Sequence, residues 1–249
     1  MGNKKQKIFV AMSGGVDSSV AAALLKKHGY KITGVFMRLG KKDKVAESAA
    51  KNVAKKLGID FLVWDFRKEF KKAVIDYFLR ELKAGHTPNP CVVCNSQIKF
   101  GLFLDKALKL GADFVATGHY AKIKLKTQSS KFPPASPCEA WRVGKAATQN
   151  SKPKYQLFTA KDKIKDQSYF LYRLNQRQLS KIIFPIGDYQ KSEVIKLAKK
   201  WRLPYQHKQS FDICFIDDYQ KFFKKYLKLK MGKIVGFVKT RPHRLSLPD

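Results

Sequence analysis

The fold is decided by residues 8–25, which read IFVAMSGGVDSSVAAALL. The apolar run from Ile8 to Met12 predicts a short buried strand. A turn with two glycines follows it, and the alanine-rich run after Ser19 predicts a helix that Gly29 ends. A strand that leads through a glycine turn into a helix begins a βαβ unit, so this stretch indicates a parallel sheet.

The same alternation of strand and helix continues outward from this stretch. Further strands are predicted at 32–37, 61–66 and 114–117, and further helices at 44–57, 68–83, 98–110 and 191–201. Such an alternation is typical of an α/β fold with a doubly wound parallel sheet. Ligands of these sheets bind at the carboxyl ends of the strands.

The organisation changes after Tyr120. Residues 122–165 contain eleven Lys and Arg against two acids, with a Pro- and Ser-rich run at 129–137. We interpret them as a basic insertion, built as a long surface hairpin. We therefore predict a catalytic domain over 1–215 that includes this insertion. Residues 216–249 follow it as a short, incomplete helical second domain.

The composition is strongly basic. Lys and Arg total 51 against 19 Asp and Glu, a formal net charge of +32. This charge favours a polyanionic partner such as a nucleic acid, although a generally lysine-rich composition is the alternative. A hydrophobic content of 44% suffices for a sizeable core. No apolar run is long enough for a membrane span, so we expect a cytoplasmic protein.

The turn Ser13–Ser19 is a candidate phosphate-binding loop. Its glycines allow a close approach of the backbone to an anion, and the following helix offers N–H groups and its positive dipole end. It lacks the lysine of a Walker loop. The pattern is instead typical of enzymes that cleave ATP to AMP and pyrophosphate; the alternative is an ordinary glycine turn before a helix.

Four cysteines are the second chemical signal: Cys91, Cys94, Cys138 and Cys214. A C-x-x-C pair such as Cys91 and Cys94 is compatible with half a metal site, a redox dithiol or chance. Two prolines precede it and a helix follows, so we expect the dipole to favour a thiolate there. By itself, the apolar run around Cys214 favours a buried core thiol. Cys138 lies in the insertion and is taken as incidental.

The histidines give a weaker signal. His119 follows a predicted strand, where it either lines a nucleotide site or is a structural residue. The remaining histidines show no ligand spacing, so we predict no mononuclear zinc site.

Taken together, these motifs resemble the MnmA family of bacterial tRNA 2-thiouridylases, which belong to the PP-loop ATP pyrophosphatases. The resemblance is carried by seven blocks in family order: 11–19, 34–37, 84–100, 116–120, 165–171, 184–187 and 212–216. It implies an adenine-nucleotide α-hydrolase-like fold. It also implies a sulfurtransferase that uses ATP and Mg²⁺ to adenylate the C2 oxygen of the wobble uridine before sulfur replaces that oxygen.

The resemblance also implies roles for individual residues. Cys94 and Cys214 would be catalytic, with Cys214 as the persulfide carrier and Cys94 releasing the sulfur or closing a disulfide with it. Asn89, Pro90 and Cys91 would contact the target base, and Lys165, Asp166 and Gln167 would contact tRNA. The nucleotide would be bound by Ala11, Met12, Ser13, Gly14, Gly15, Val16, Asp17, Ser18, Met37 and Gly118. The implied partners are tRNA and a sulfur-relay protein or cysteine desulfurase.

The chain departs from the family pattern at two places. Position 91 is often aspartate in the family, and the cysteine here allows a second route in which Cys91, Cys94 and Cys214 hold an iron–sulfur cluster. Family members also continue into a β-barrel that we do not find after residue 235. We expect the basic segments to hold tRNA in its place. The competing hypotheses are another PP-loop enzyme that adenylates a small molecule, and an RNA-binding remnant without turnover.

Overall fold

The computed structural model describes residues 5–40, 44–126, 154–206, 213–216 and 218–227. The chain divides into two compact units, residues 1–215 and 216–249. The strands are β1 Lys7–Ala11, β2 Lys31–Arg38, β3 Asp60–Asp65, β4 Phe114–Ala116, β5 Lys122–Lys126, β6 Lys154–Phe158 and β7 Ile182–Ile183.

The helices between these strands are mostly short. They are α1 Val16–Lys27, α2 Lys44–Leu57, α3 Arg67–Phe70, α4 Asp76–Lys83, α5 Pro90–Val93, α6 Phe103–Lys109, α7 Gln176–Leu179, α8 Lys191–Lys200 and α9 Tyr219–Tyr226. A π-helical turn, Lys71–Ile75, joins α3 to α4, and a longer π segment, Cys94–Leu102, joins α5 to α6. Ser168–Leu171 forms a short 3-10 helix.

The main sheet has five parallel strands in the order β3-β2-β1-β4-β7. β1 lies at its centre and pairs with β2 from Lys7–Lys31 to Ala11–Val35. Side chains of β1 alternate between two cores: Ile8 and Val10 pack with α1 and α2, while Phe9 packs with α3 to α6 on the other face. Helices therefore cover both faces, and the predicted doubly wound parallel sheet is confirmed.

Most predicted elements are found within a residue or two of their expected bounds. The helix at 44–57 has the bounds that the sequence predicts. The prediction for the later helix, 98–110, is wrong at its start, because the helical run begins at Pro90. The Asn89 carboxamide oxygen accepts from the N–H groups of Cys91 and Val92 at 3.1 and 3.3 Å. An Asn cap followed by a proline starts a helix, so the cysteine pair lies within it.

At the ends of the region predicted as an insertion, β5 and β6 pair antiparallel, from Lys122–Phe158 to Lys126–Lys154. The residues between them, including Cys138, lie outside the described part of the chain. In the second unit, α9 begins at Tyr219 with Asp218 as its cap. Among the described residues, none of the helices has the length and apolar character needed to cross a membrane.

Candidate active site

The predicted phosphate loop, Ser13–Ser19, joins β1 to α1 at the carboxyl edge of the sheet. Its own hydroxyl groups hold its shape. The Ser18 hydroxyl donates to the Gly15 carbonyl at 3.1 Å and accepts from the Ser13 N–H at 3.2 Å. In the described structure no side chain caps the amino end of α1. That end therefore offers its dipole and N–H groups to an anion.

Gly14 fixes the loop against its surroundings. It has a left-handed φ of 79°, and a β-carbon there would collide with the carbonyl oxygen of Ala46 on α2. On the other side, the Gln206 N–H donates to the Gly14 carbonyl at 2.8 Å. The loop is thus held in place from two directions, and only glycine allows this approach.

The end of a second strand meets the loop. Gly118 follows β4, and a β-carbon on it would lie 2.5 Å from the Ser18 nitrogen. β1 and β4 are neighbours, with β2 and β3 on one side and β7 on the other. This is the point where the strand order reverses, which is where doubly wound sheets bind ligands. The structure therefore places Gly118, a predicted nucleotide-binding residue, directly against the loop.

The one carboxylate in the loop, Asp17, is held by two side chains that the sequence analysis missed. The Lys191 ammonium lies 2.7 Å from both Asp17 oxygens, and the Tyr120 hydroxyl donates to one of them at 2.8 Å. Burial, followed by the charge of Asp17, raises the pKa of Tyr120, so this hydroxyl stays protonated. Lys191 is only 13% exposed. The acid is therefore neutralised where an anion would bind.

Met37 lies on β2, and its side chain packs against the core. Beyond it, at the carboxyl end of β2, is a cavity of about 490 Å³ lined by Arg38, Gly40, Lys44, Glu47, Ser48, Lys51 and Arg67. Arg38 and Glu47 are joined by two hydrogen bonds of 2.7 and 2.8 Å. α2 thus contacts Gly14 through Ala46 and lines the cavity through other residues, and no residue of the phosphate loop lines it.

The C-x-x-C pair lies on a continuous helical run. Cys91 is half-buried in the first turn of α5, and Cys94 is buried at the start of the π segment. Burial raises the pKa of the Cys94 thiol to about 11, although Lys99 acts in the opposite direction. The expectation that the helix dipole favours a thiolate is therefore wrong for Cys94, because desolvation outweighs the dipole in a buried position.

Cys214 lies within electrostatic range of Cys94. Together with Cys91, its charge contributes to the raised pKa of Cys94. Cys214 itself is exposed, which overturns the local expectation of a buried core thiol. The neighbouring Phe215 packs against the core instead, with ring centroids 5.6 Å from Phe70 and 5.8 Å from Phe78 in edge-on contacts. Phe215 anchors the segment while Cys214 remains accessible.

The three thiols share a region but do not form a ready metal site. Across the described ranges, no group of three His, Cys, Asp or Glu side chains has an arrangement that could hold a metal ion. The donor types would suit a cluster, but their arrangement does not provide one. The expectation that the histidines form no mononuclear zinc site stays a prediction.

A chain of contacts leads from the phosphate loop towards Cys94. His119 follows Gly118, and its Nε2 lies 3.5 Å from the ammonium of Lys99 on the π segment. An ammonium group can only donate, so Nδ1 carries the proton and donates to the Thr117 hydroxyl at 2.6 Å. Burial lowers the pKa of His119 well below its usual value, so the ring is neutral. No local sequence pattern indicated this contact of Lys99.

The predicted RNA-contacting residues 165–167 lie in a loop that folds back on the site. The Gln167 carboxamide oxygen accepts from the Tyr120 N–H at 3.1 Å. The Asp166 carboxylate accepts from the Ala160 N–H and the Ser168 hydroxyl, both at 2.6 Å. Lys165 is half-buried, and its N–H donates to Asp162 at 3.1 Å. Two of the three side chains are thus engaged in shaping the loop.

Asn95 joins this loop to the cysteine helix. Its Nδ2 donates to the Phe170 carbonyl at 3.2 Å. Its Oδ1 is buried without a hydrogen-bond partner in the described structure. Gln178 supports the π segment from the other side, donating to the Phe100 carbonyl at 2.6 Å. The helical run that carries Cys91 and Cys94 is therefore hydrogen-bonded to the loop 165–171.

Comparison with known proteins shows what this arrangement resembles. Residues 6–218 match the family described as the tRNA methyl transferase HUP domain. The chain is 44% identical over 231 residues to the tRNA-specific 2-thiouridylase MnmA of Syntrophomonas wolfei, covering 92% of this chain and 61% of that protein. It is also 44% identical over 241 residues to the MnmA of Nitrosomonas europaea, covering 92% and 60%. The chain thus spans about three fifths of the length of these relatives.

One solved structure shares the fold over most of the chain. The U34-tRNA thiolase NcsA from Methanococcus maripaludis, solved with its [4Fe-4S] cluster, aligns with a TM-score of 0.50 at 16% identity. The alignment covers 90% of this chain and 69% of that one. At this identity the likeness supports the fold alone.

Proposed function

This chain belongs to the tRNA methyl transferase HUP-domain family, and on that premise we propose that it acts as a tRNA 2-thiouridylase of the MnmA type. The reaction replaces the C2 oxygen of the wobble uridine with sulfur while ATP is cleaved to AMP and pyrophosphate. One observation carries the proposal: Gly118 lies against the phosphate loop, the next residue, His119, contacts Lys99, and the charge of Lys99 acts on Cys94. It joins a nucleotide site to a thiol site.

In the first step the phosphate loop holds the ATP phosphates. The C2 oxygen of uridine attacks the α-phosphate, pyrophosphate leaves, and the base becomes an adenylate. A urea-like carbonyl oxygen is a poor leaving group until it is esterified, which is why activation precedes sulfur transfer. Lys191 balances the charge of Asp17, and the Tyr120 hydroxyl donates a hydrogen bond to it, so the carboxylate repels the phosphates less. Mg²⁺ would accompany ATP and offset its charge.

In the second step the exposed Cys214 carries a persulfide. Its outer sulfur attacks C2 and AMP leaves with the former C2 oxygen. The Cys94 sulfur, after losing its proton, then attacks Sγ of Cys214, which breaks the S–S bond to the base and leaves 2-thiouridine. Alternatively, Cys94 attacks the persulfide first and releases hydrosulfide, which then attacks C2. Both routes end in a Cys94–Cys214 disulfide, which a thiol reductant must open before the next turnover.

The burial of the two thiols supports this division of roles. Cys214 is exposed, so a donor protein can reach it, whereas the buried Cys94 is protonated at neutral pH and reacts only within the site. A cluster on Cys91, Cys94 and Cys214 would need the three thiols to rearrange, since they do not form a metal-binding group as they stand. The persulfide route is therefore the one that we propose.

The partners follow from the same features. A net charge of +32 suits tRNA as the substrate. An exposed acceptor thiol suits a cysteine desulfurase or a sulfur-relay protein as the persulfide donor. A cytoplasmic location agrees with both partners.

The test is the formation of 2-thiouridine, measured by nucleoside mass spectrometry. Anaerobically purified protein is incubated with ATP, Mg²⁺ and unmodified tRNA, with either cysteine plus a desulfurase or inorganic sulfide as the sulfur source. We expect product from wild type and none from Cys94→Ala or Cys214→Ala with the desulfurase. Cys138→Ser, at the cysteine outside the predicted site, is the matched control and should retain product, whereas Cys91→Ser distinguishes the persulfide route from the cluster route.

The other outcomes discriminate between mechanisms. Loss of product in Cys91→Ser, together with stoichiometric iron in the wild-type protein, would replace the persulfide route with the cluster route. AMP formation without a thiolated base would indicate adenylation of another substrate. If the wild type binds RNA but forms neither AMP nor 2-thiouridine, the chain has no turnover and the proposed activity is wrong.

A further inference from the structure

Two neighbouring tyrosines project from the surface beside the cysteine helix. Tyr169 is 66% exposed and Tyr172 is 65% exposed. Their ring centroids are 6.1 Å apart, and Tyr169 also contacts Phe170 edge-on at 5.5 Å. Neither ring belongs to the core, so packing does not explain why two large aromatic side chains occur together here. An exposed tyrosine pair offers flat faces on which another ring can stack.

The backbone beneath the two tyrosines is firmly held. Leu171, between them, is 1% exposed and belongs to the core. The Phe170 carbonyl accepts from Asn95 at 3.2 Å, and the Ser168 hydroxyl donates to Asp166 at 2.6 Å. The short 3-10 helix that carries Tyr169 is therefore fixed from both ends. A surface that is fixed before binding loses little conformational entropy when a ligand stacks on it.

The charge around the pair is suited to nucleic acid. Exposed Arg173 follows Tyr172, and Lys163 and Lys165 precede Tyr169 in the same loop. The Asp166 carboxylate accepts hydrogen bonds from the Ala160 N–H and the Ser168 hydroxyl within the loop. Aromatic faces next to cationic side chains are the combination that binds unpaired nucleotides, where the bases stack and the phosphates meet the cations.

We propose that Tyr169 and Tyr172 form a stacking platform for an unpaired nucleotide of the RNA substrate, next to the base that approaches Cys94. The Asn95–Phe170 hydrogen bond joins the platform to the residue that follows Cys94, which sets its place beside the thiol site. In a duplex the base faces are covered, so the platform selects single-stranded loops. The inference rests on the proposed function and adds to it a binding site for a nucleotide beside the target uridine.

The experiment measures RNA affinity with the full 249-residue chain. Fluorescence anisotropy follows binding to an anticodon stem-loop hairpin, and to the same strand annealed to its complement, over a series of NaCl concentrations. Stacking is worth about 1–3 kcal/mol per base. Tyr169→Ala/Tyr172→Ala should therefore weaken hairpin binding about 5- to 150-fold, with the salt slope and the duplex affinity unchanged.

Two matched variants make the test specific. Tyr169→Phe/Tyr172→Phe keeps both ring faces and should retain hairpin affinity within about twofold. Leu110→Ala removes an exposed apolar side chain next to Lys7, at the amino end of β1, and should leave RNA affinity unchanged. Thermal unfolding of each variant excludes loss of the fold as the cause.

Three results would overturn the inference. Unchanged hairpin affinity in the double alanine variant would show that no base stacks there. An equal loss for hairpin and duplex would show general rather than single-strand binding. Unchanged RNA affinity with weakened binding of the desulfurase would assign the surface to a protein partner. The proposed function fails separately, when no 2-thiouridine forms although the platform still binds the hairpin.

Discussion

Burial distinguishes the two thiols that the proposed reaction uses. Cys94 is buried with its pKa raised to about 11, while Cys214, which lies within electrostatic range of it, is exposed. The folded protein therefore favours the protonated form of Cys94. Since the raised pKa lies above the ordinary value of 9.0, this stabilisation is present below pH 9 and is lost as the pH rises through 11.

Alkylation with iodoacetamide tests this difference. At pH 7.5 we expect Cys214 to be labelled at least about tenfold faster than Cys94, because the thiolate is the nucleophile and burial suppresses it. The rate at Cys94 should rise steadily up to about pH 11. Peptide mass spectrometry measures both sites in one sample. Denatured protein, in which both thiols should react alike, is the control; equal rates in the folded protein would contradict the burial argument.

The sequence predicted the residues of the phosphate loop but not the groups that hold Asp17. Ser13–Ser19 was recognisable because glycines, serines and the start of a helix lie within one short segment. Lys191 and Tyr120 reach Asp17 from distant positions, and no local pattern indicates such a contact. Only the packing of α8 against α1 brings the lysine there.

Among the elements, helices and strands were largely predictable because their apolar periodicity is strong. The predicted start of the cysteine helix is wrong because two prolines suggest a rigid loop, whereas Asn89 and Pro90 together form a helix start. The apolar periodicity of the sequence does not distinguish the π segment Cys94–Leu102 from an α-helix, because the two differ in their hydrogen-bonding pattern. The roles of Cys94 and Cys214 came from family resemblance and remain predictions.

The junction between the end of β4 and the start of α1 gives a prediction at the scale of elements. In Gly118→Ala the new β-carbon meets the Ser18 nitrogen and displaces the loop. We expect a stability loss of about 1–3 kcal/mol from overpacking. We also expect ATP binding to weaken by about tenfold or more, equivalent to about 1.4 kcal/mol. Thermal unfolding and isothermal titration calorimetry measure the two effects.

Gly111→Ala is the matched control for that variant. Gly111 has a φ of 77°, but a β-carbon there would have no neighbour within 4 Å. The substitution therefore costs about 1–2 kcal/mol through backbone strain alone. Because it lies away from the loop, ATP affinity should be unchanged. If both variants bind ATP as wild type does, Gly118 does not shape the nucleotide site.

At the scale of the whole molecule, charge is the dominant property. Ion pairs within the chain cannot balance this charge, since 51 Lys and Arg residues face only 19 Asp and Glu and leave a net charge of +32. Positive charge is dense on the hairpin formed by β5 and β6. Lys126 lies directly opposite Lys154 in the strand register, and Lys124 lies two residues away on β5. Like charges opposite one another destabilise a sheet. A polyanion that binds along this hairpin would relieve the repulsion, which agrees with RNA as the proposed partner.

Salt dependence tests whether this hairpin contacts RNA. Each lysine that neutralises a phosphate steepens the fall of affinity with salt, because it releases condensed counterions. Lys124→Gln/Lys126→Gln/Lys154→Gln should therefore flatten the slope of log K against log[NaCl] by roughly 0.7–0.9 for each phosphate contact removed. The control is Lys55→Gln/Lys56→Gln, which removes two exposed charges at the far end of α2. An equal change of slope for each lysine removed in control and hairpin variants would mean that only total charge matters. A flatter slope in the hairpin variant alone would place the RNA backbone on β5 and β6.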